Sequence, residues 1–384
     1  MTDRHSVDVV VVGAGAAGVS AARAAHEAGA SVLVIDRGGG GSSGLTSGAI
    51  VTSGTDLELA AFAWLPSVGL RAVGAYALGT SAGGLTSALS GLTSLLDLSE
   101  LPEGALGVVD MLAGPGWSAR LVAGSLARAA ERTVRTVEAS VGAVEAPSAL
   151  ELAARLDTDG LVDALAESLR VSAQGCGALL FPPVLGLQKD DVAARLGARL
   201  GRIVGETTGG IYDATAVRMA RALSRGVPSG VEQRRGSASI DARDTTPHVR
   251  VGDTVITARA VVLATGHLAS AGLEYRGTLS EPCTQSPVWL LLDRSGTADR
   301  YEPASGRQLD PSTLMATAMA SGLRCLPDRR VANASGTAAV APWLFAAGAL
   351  LAGGRLAYGQ GLADALVSGY RAGRAAADLA AKTR

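Results

Sequence analysis

The chain has 384 residues, enough for one large domain with an insertion or for two domains. Its 34 basic and 35 acidic residues nearly cancel and form no basic run, which excludes electrostatic attraction of nucleic acid. The three cysteines (Cys176, Cys283 and Cys325) are scattered without metal-ligand spacing. This argues against a zinc site or an iron–sulfur cluster held by this chain, and it fits a reducing cytoplasm.

No leader and no membrane span are predicted. The first apolar run begins within a few residues of Met1, which leaves no room for a signal peptide. The longest uncharged stretch, residues 72–96, is broken by glycines and rich in serine and threonine, so it does not predict a transmembrane helix. We therefore expect a cytoplasmic protein that reaches a membrane, if at all, only peripherally through a partner.

The first predicted element is a short apolar strand, residues 8–12, that enters a glycine-rich turn with G-x-G-x-x-G spacing. Gly13 allows the tight turn, Gly15 lets the backbone approach a pyrophosphate, and Gly18 lets the next helix pack closely on the strand. An alanine-rich helix is predicted over residues 16–28. Ala16 and Ala17 at its N-terminus would present amide groups and the positive end of the helix dipole to phosphates.

A second strand, residues 31–35, ends on Asp36. An acid at this position accepts hydrogen bonds from a ribose 2′-hydroxyl and argues against a 2′-phosphate. The strand–turn–helix–strand unit therefore predicts dinucleotide binding. A glycine run follows at the place where a flavin-binding fold passes its backbone along the cofactor. It is either a flexible linker or, as we favour, a set of cofactor contacts (Arg37, Ser43, Gly44, Thr46, Ser47 and Gly48).

The middle of the chain is predominantly helical by its leucine and alanine spacing, although residues 51–116 show no clear pattern. Helices are predicted over 118–131, 149–169, 189–200 and from 208 to 225, and a buried strand over 177–181 is stopped by Pro182 and Pro183. Arg218, on the last of these helices, is either a phosphate ligand or a solvated residue on an exposed helix face.

Three short strands, over 238–241, 249–251 and 254–256, precede a strand that ends on an Ala-Thr-Gly sequence (Ala264, Thr265 and Gly266). A β-meander feeding a second such strand is typical of flavoproteins with two dinucleotide-binding domains. The order of elements therefore favours FAD over NAD. It predicts an α/β protein with a Rossmann-like FAD-binding fold of the two-dinucleotide-domain type and an inserted α/β domain.

We expect the FAD-binding domain to consist of residues 1–50 and 236–384, with residues 51–235 inserted between them as a substrate or partner domain. The last part of the chain has a strand over 343–349, a glycine-rich turn and a long helix. Such a turn, placed against a flavin, stabilises negative charge on the reduced ring. The predicted cofactor contacts here are Gly348, Gly359, Gln360, Gly361 and Leu362; the alternative is a terminal packing helix with glycine at its entry.

Candidates for chemistry are few. His267 directly follows the Ala-Thr-Gly strand and is either a general base near the flavin or a loop histidine bonded to the backbone. Arg355 and Tyr358 lie in the glycine-rich turn and are candidates to hold an anionic substrate. We expect no metal site.

Five blocks together resemble one family, the B subunit of anaerobic glycerol-3-phosphate dehydrogenase. Their order and rough spacing match over nearly the whole chain: residues 13–18, 46–48, 181–187, 264–267 and 343–362. The block Phe181-Pro182-Pro183-Val184-Leu185-Gly186-Leu187 is the most discriminating, because a general flavoprotein has no need of it. One departure is Ala349, since many flavoproteins of this type have Gly-Asp where this chain has Gly348-Ala349.

The resemblance implies a flavoprotein subunit that works with a larger FAD-containing catalytic subunit and an iron–sulfur subunit. Such complexes oxidise glycerol 3-phosphate, a small phosphorylated substrate, to dihydroxyacetone phosphate and pass electrons to quinone. The family is commonly described with FMN, whereas Asp36 suits the adenine half of FAD; we expect FAD, with FMN as the alternative. Two alternative functions remain: a non-catalytic electron-relay or scaffold subunit, and a stand-alone FAD oxidoreductase of another small substrate.

Overall fold

A computed structural model describes residues 5–38, 46–51, 58–111, 117–129, 132–140, 148–210, 213–293, 300–304, 314–353 and 361–384. The chain divides into two compact units, the first formed by residues 1–43, 53–64 and 223–384 and the second by residues 44–52 and 65–222. The predicted domain boundaries at residues 50 and 235 stay predictions.

The described helices are α1 (Ala16–Glu27), α2 (Ala119–Ala129), α3 (Ala149–Leu156), α4 (Asp159–Ser172), α5 (Val192–Leu200), α6 (Ala214–Ser224), α7 (Leu314–Ala320) and α8 (Gly361–Lys382). The described strands are β1 (His5–Val12), β2 (Val32–Asp36), β3 (Ala49–Ile50), β4 (Tyr76–Gly79), β5 (Leu85–Ala88), β6 (Ser90–Gly91), β7 (Ala105–Asp110), β8 (Val134–Glu138), β9 (Cys176–Phe181), β10 (Ile203–Glu206), β11 (Glu232–Arg235), β12 (Ala238–Ile240), β13 (His248–Val251), β14 (Thr254–Leu263), β15 (Glu274–Tyr275), β16 (Leu279–Ser280), β17 (Val288–Asp293), β18 (Arg300–Pro303), β19 (Gly322–Leu323) and β20 (Leu344–Ala346).

The first unit is built on a seven-stranded sheet in the order β11-β2-β1-β14-β13-β12, with β20 also paired to β14. β1 lies between β2 and β14 and is parallel to both. β12, β13 and β14 form an antiparallel meander, but the separate strands predicted over 254–256 and up to Gly266 are one continuous strand, β14, which ends at Leu263. Helices α1 and α8 pack against each other and against β1 and β14. Both faces of β1 are buried, so its valines form a continuous apolar run in the sequence instead of alternating with polar residues.

The second unit contains a four-stranded sheet in the order β10-β9-β7-β8, and all its strand pairs are parallel. One face packs on α2, with Leu106 and Val108 of β7 beneath the helix. The other face packs on α3, α4 and α5, with Val109 and Leu179 in that core. Helices therefore cover both faces of the sheet, which is the doubly wound arrangement of α/β proteins.

A buried ion pair joins four segments of the second unit. The guanidinium of Arg218 contacts the carboxylate of Glu206, and the two side chains are 1% and 0% exposed. Arg218 also donates to Ser94 Oγ and to the carbonyl of Leu185, at 3.1 Å each. Glu206 Oε2 accepts from the amide of Leu185 at 3.0 Å. Both sequence interpretations of Arg218 were therefore wrong: it is neither a solvated helix residue nor free to bind phosphate.

Candidate functional site

The carboxyl ends of β1, β2 and β14 surround a cavity of about 310 Å³ in the first unit. Its walls come from the turn after β1, the end of β2, the start of β12 and the segments that follow β14 and β16. The lining residues include Gly13, Ala14, Gly15, Asp36, Arg37, Gly236, Ala238, Ala264, Thr265, Gly266, Leu268, Ala269, Ser270, Ala271, Pro282 and Cys283. In parallel α/β sheets, ligands bind in the crevice outside this strand end.

Two glycines let β1, α1 and β14 meet at one turn. Gly13 has φ +110°, and a Cβ there would lie 2.3 Å from the carbonyl oxygen of Ala264. A Cβ on Gly18 would lie 1.8 Å from the carbonyl oxygen of Gly13. Such distances are far inside van der Waals contact, so the close approach of helix, turn and strand requires glycine at both positions.

The turn into α1 lines the cavity through Gly13, Ala14 and Gly15. Gly15 is the N-cap of α1, with φ −70° and ψ −178°, and no side chain among the described residues caps the helix there. Ala16 and Ala17 form the first turn of α1 and are buried. An uncapped helix N-terminus attracts anions through its amide groups and the helix dipole, so this turn suits a pyrophosphate.

Asp36, the last residue of β2, also lines the cavity and is held by the backbone. Its Oδ1 accepts from the amide of Ala14 at 3.3 Å, and its Oδ2 accepts from the amide of Gly38 at 2.7 Å. A carboxylate has about four lone-pair sites, so both oxygens retain acceptor capacity for the hydroxyls of a ribose.

Thr265 supplies an independent test of the fit. Its Oγ1 is buried and has no hydrogen-bond partner among the described residues, although Thr265 lines the cavity. A buried hydroxyl is normally paired, so a polar group is expected in the cavity. The glycine turn, the uncapped helix, the oriented carboxylate and this hydroxyl together fit a dinucleotide.

His267 lies between two lining segments of the cavity, residues 264–266 and 268–271, but it is not itself a lining residue. The ring is 2% exposed, and Nε2 lies 3.0 Å from the carbonyl oxygen of Ser321. Burial lowers the pKa of His267, against the opposing effect of the backbone carbonyls of Ser321 and Ala318. The ring is thus bonded to the backbone, and the role of His267 as a general base stays a prediction.

The C-terminal elements join the same part of the first unit. β20 pairs with the last residues of β14, and the amide of Ala347 donates to the carbonyl of Leu263 at 2.9 Å. Gly348 has φ +76°, and a Cβ there would lie 2.6 Å from Cβ of Ala17 in α1. Gly361 and Leu362 open α8, and Leu362 is buried. The loop at His267 and the entry to α8 thus belong to elements that pack around the first turn of α1.

The predicted contacts Thr46, Ser47 and Gly48 lie in the second unit. The carbonyl of Ser47 accepts from the amide of Gly209 at 2.9 Å. Gly48 has φ +85°, and a Cβ there would lie 2.8 Å from Cβ of Thr215. The role of these three residues at a cofactor stays a prediction. Six other predicted site residues lie outside the described residues: Ser43, Gly44, Arg355, Tyr358, Gly359 and Gln360.

One wall of the cavity was not predicted from the sequence. Pro282 and Cys283 line the cavity from a turn that the buried carboxylate of Glu281 organises. Glu281 accepts from the amides of Cys283 and Thr284, at 2.7 and 2.8 Å. Burial raises the pKa of the Cys283 thiol, which is therefore a neutral part of the wall. The available signal was the run of turn-favouring residues around it, Pro282, Thr284 and Ser286.

Within the described residues, no group of three or more His, Cys, Asp or Glu side chains is arranged to hold a metal ion. No helix in the same part of the chain is both long and apolar enough to cross a bilayer.

A family model described as FAD dependent oxidoreductase matches residues 8–288, which is well over half of the chain. The chain is a member of the FAD-dependent oxidoreductase family. Its cofactor is FAD, and its fold is the α/β FAD-binding fold that the sequence predicted. The matched range covers the glycine turn, Asp36 and the Ala-Thr-Gly strand. When bound, FAD accepts two electrons from a substrate and passes them on.

No curated protein matches the sequence. Among solved structures, a 3-ketosteroid-Δ4-(5α)-dehydrogenase from Rhodococcus jostii RHA1 is 15% identical, with 98% of each chain covered and a TM-score of 0.39. The open conformation of a flavocytochrome c3 fumarate reductase is 14% identical over 98% of this chain and 79% of that one, with a TM-score of 0.39. A glycine oxidase from Geobacillus kaustophilus is 14% identical over 98% and 95%, with a TM-score of 0.35.

Proposed function

We propose that this FAD-dependent oxidoreductase is the flavoprotein subunit of a membrane-associated complex that oxidises glycerol 3-phosphate to dihydroxyacetone phosphate. Its electrons pass through an iron–sulfur partner subunit to quinone. The observation that carries this proposal is the block from Phe181 to Leu187, because it distinguishes the B subunit of anaerobic glycerol-3-phosphate dehydrogenase from general flavoproteins.

The surroundings of this block support a specific role for it. Phe181 ends β9, and the following residues through Gly186 are buried. Leu185 is held at both its amide and its carbonyl by the Glu206–Arg218 pair. A buried ion pair is weak evidence for stability, and we ascribe to this one the fixing of an irregular loop in a single conformation.

The proposal assigns roles to the site residues. Asp36 binds the adenosine ribose, and the Gly13–Gly18 turn, with the amides of Ala16 and Ala17, holds the pyrophosphate. The flavin-proximal contacts are Thr46–Gly48, Thr265, Gly266, Gly348 and the segment 359–362. Arg355 and Tyr358 hold the anionic end of the substrate. Removal of two electrons and two protons from the secondary alcohol gives the ketone, and the hydroxyl proton needs a base.

A second function is favoured by the position of His267. The ring predicted to be that base is buried and donates to a backbone carbonyl rather than lining the cavity. This observation favours a subunit that carries flavin and relays electrons, while the larger partner subunit takes the proton and the hydride.

Anaerobic titration of the purified chain distinguishes these functions. If the chain itself is catalytic, glycerol 3-phosphate will bleach the oxidised flavin band without any partner. A relay subunit will stay yellow with glycerol 3-phosphate alone and bleach only when the partner subunits are added. Bleaching by a non-phosphorylated hydroxy acid or an amine, but not by glycerol 3-phosphate, would contradict the proposed substrate.

A further inference from the structure

The protonation state of His267 follows from its partners. A carbonyl oxygen only accepts, so Nε2, which lies 3.0 Å from the carbonyl of Ser321, must carry a proton. Nδ1 is buried and has no hydrogen-bond partner among the described residues. A second proton on Nδ1 would be buried, and burial lowers the pKa of this ring against the opposing effect of the carbonyls of Ser321 and Ala318. His267 is a neutral imidazole with its proton on Nε2.

The backbone of His267 organises the cavity wall on one side. Its carbonyl accepts from the amides of Ser270 and Gly272, at 3.1 and 3.0 Å. Residues on both sides of His267 line the cavity, namely Thr265 and Gly266 before it and 268–271 after it. The chain turns at Gly266, which has φ +79°. His267 is thus the point at which this wall is attached to the rest of the first unit.

The segment that contains Ser321 packs against the turn after β20. A Cβ on Gly322, next to Ser321, would lie 2.3 Å from the carbonyl oxygen of Leu350. The amide of Ala352 donates to the carbonyl of Leu323, and the amide of Gly353 donates to that of Ala320, at 2.9 Å each. The segment 320–323 therefore lies between His267 and the turn 350–353.

We propose that His267 is a positioning residue whose Nε2–H bond to Ser321 holds the cavity wall 265–271 in place against the segment 320–323, so that this wall is set for FAD before it binds. This role replaces the general base inferred from the sequence. It rests on the FAD site in the first unit and is independent of the substrate under the proposed function.

Two substitutions separate the hydrogen bond from the volume of the ring. His267→Leu fills a similar space but removes the donor. His267→Gln keeps an N–H group near the position of Nε2. His248→Leu is the control, because His248 is an exposed histidine on β13. We expect His267→Leu to raise the FAD dissociation constant at least about tenfold, and the other two variants to stay within about threefold of the wild type.

A second measurement uses the unaltered full-length protein. The chain has four histidines, so selective ¹⁵N labelling of histidine gives a readable spectrum, and the His267→Gln variant identifies the signal of His267. We expect a neutral ring protonated at Nε2 at pH 7, with or without FAD. A ring protonated at Nδ1, or a doubly protonated ring, would overturn the proposal.

The outcomes are distinct. A wild-type protein that binds no FAD would contradict the cofactor site itself. Wild-type affinity in His267→Leu, with FAD bound normally by the unaltered protein, would overturn the positioning role alone. If His267→Leu does not fold, the tautomer and the affinity of His267→Gln decide, because loss of FAD binding in that folded donor-retaining variant would also refute the role.

Discussion

Gly13, Gly15 and Gly18 look equivalent in the sequence but differ in the structure. At Gly13 and Gly18 the fold itself requires glycine, since a Cβ would meet backbone oxygens at 2.3 and 1.8 Å. At Gly15 the backbone has φ −70° and ψ −178°, which any residue adopts. The backbone conformation therefore does not require glycine at this position, and we ascribe the glycine to the proposed ligand, because a side chain there would occupy the space of the pyrophosphate.

This difference gives the first prediction. Gly15→Val should change the thermal midpoint of the protein without cofactor by only a few degrees and raise the FAD dissociation constant at least about a hundredfold, or about 2.7 kcal/mol. Gly124→Val is the control, since a Cβ on Gly124 in α2 would have no neighbour within 4 Å. Isothermal titration with FAD measures both variants. Stoichiometric flavin retained in Gly15→Val would contradict the placement of the phosphates.

The second prediction concerns Asp8 at the start of the sheet. Burial raises the pKa of Asp8, but hydrogen bonds from Arg384 and Ser31 outweigh it and lower the pKa from 3.8 to about 2. Because one pKa unit corresponds to about 1.4 kcal/mol, ionised Asp8 contributes about 2 kcal/mol to the free energy of unfolding. This contribution is present above pH 4 and is lost as the pH falls toward 2.

Asp8→Asn should therefore lower the free energy of unfolding by about 2 kcal/mol at pH 7 and by progressively less below pH 4. Urea denaturation at several pH values measures the difference between variant and wild type. A difference that stays constant between pH 7 and pH 3 would contradict this account. Arg384→Ala should show the same pH trend, because it removes the partner that lowers the pKa of Asp8.

At the scale of elements, α1 and α8 pack with their backbones in contact. A Cβ on Gly369 would lie 2.2 Å from the carbonyl oxygen of Ala17, and one on Gly373 would lie 2.2 Å from that of Ala21. Ser20 Oγ adds a hydrogen bond to the carbonyl of Leu366 at 2.7 Å. Glycine is a poor helix former, so its presence here reflects the approach of the two helices.

Gly373→Ala tests this packing, because we expect it to change the free energy of unfolding in the opposite direction to Gly124→Ala. In an exposed helix the same change stabilises by about 1 kcal/mol, and Gly124→Ala in α2 is the matched case. At Gly373 the added methyl group must displace α1, and overpacking of this kind costs about 1–3 kcal/mol. We expect a net destabilisation in urea denaturation for Gly373→Ala and a gain for Gly124→Ala. A gain in both would contradict the close helix contact.

Elements with local signals were predicted well from the sequence, and those shaped by distant residues were not. The helix α1 and the strand β9 lie where their patterns indicated, whereas the strands predicted over 254–256 and up to Gly266 are the single strand β14. The helix predicted over 149–169 is instead α3 and α4, which break around Asp157. The carboxylate of Asp157 accepts from the amides of Leu187, Gln188 and Lys189 at 2.9–3.1 Å, so α5 begins only at Val192. Nothing near Lys189 in the sequence signals a partner 32 residues away.

The same limit applies to the candidate site. Its glycine turn and Asp36 follow a fixed spacing and could be found from the sequence. The wall formed by Pro282 and Cys283 depends on a turn held by Glu281, which the topology of the sheet brings to the cavity. The environment of His267 depends on Ser321, 54 residues away, and the local sequence does not signal this partner.

At the scale of the whole molecule, the chain has separate hydrophobic cores, and the cavity in which we propose that FAD binds is lined by the first unit. Binding of FAD to the native state raises its stability by mass action, by about 2.7 kcal/mol when free FAD is a hundred times its dissociation constant. All the described lining residues belong to the first unit. We therefore expect the gain in stability on FAD binding to appear first in the local opening of that unit.

Hydrogen exchange measured by mass spectrometry, with and without FAD, tests this distribution. We expect slower exchange on FAD binding in segments 8–38, 236–241 and 264–283, and little change in the sheet of β7 to β10. The segment 46–51 is an internal test of the predicted contacts Thr46, Ser47 and Gly48, since contact with the flavin should slow its exchange as well. Protection confined to β7–β10 and their helices would place FAD elsewhere, because a ligand protects the amides whose opening it opposes.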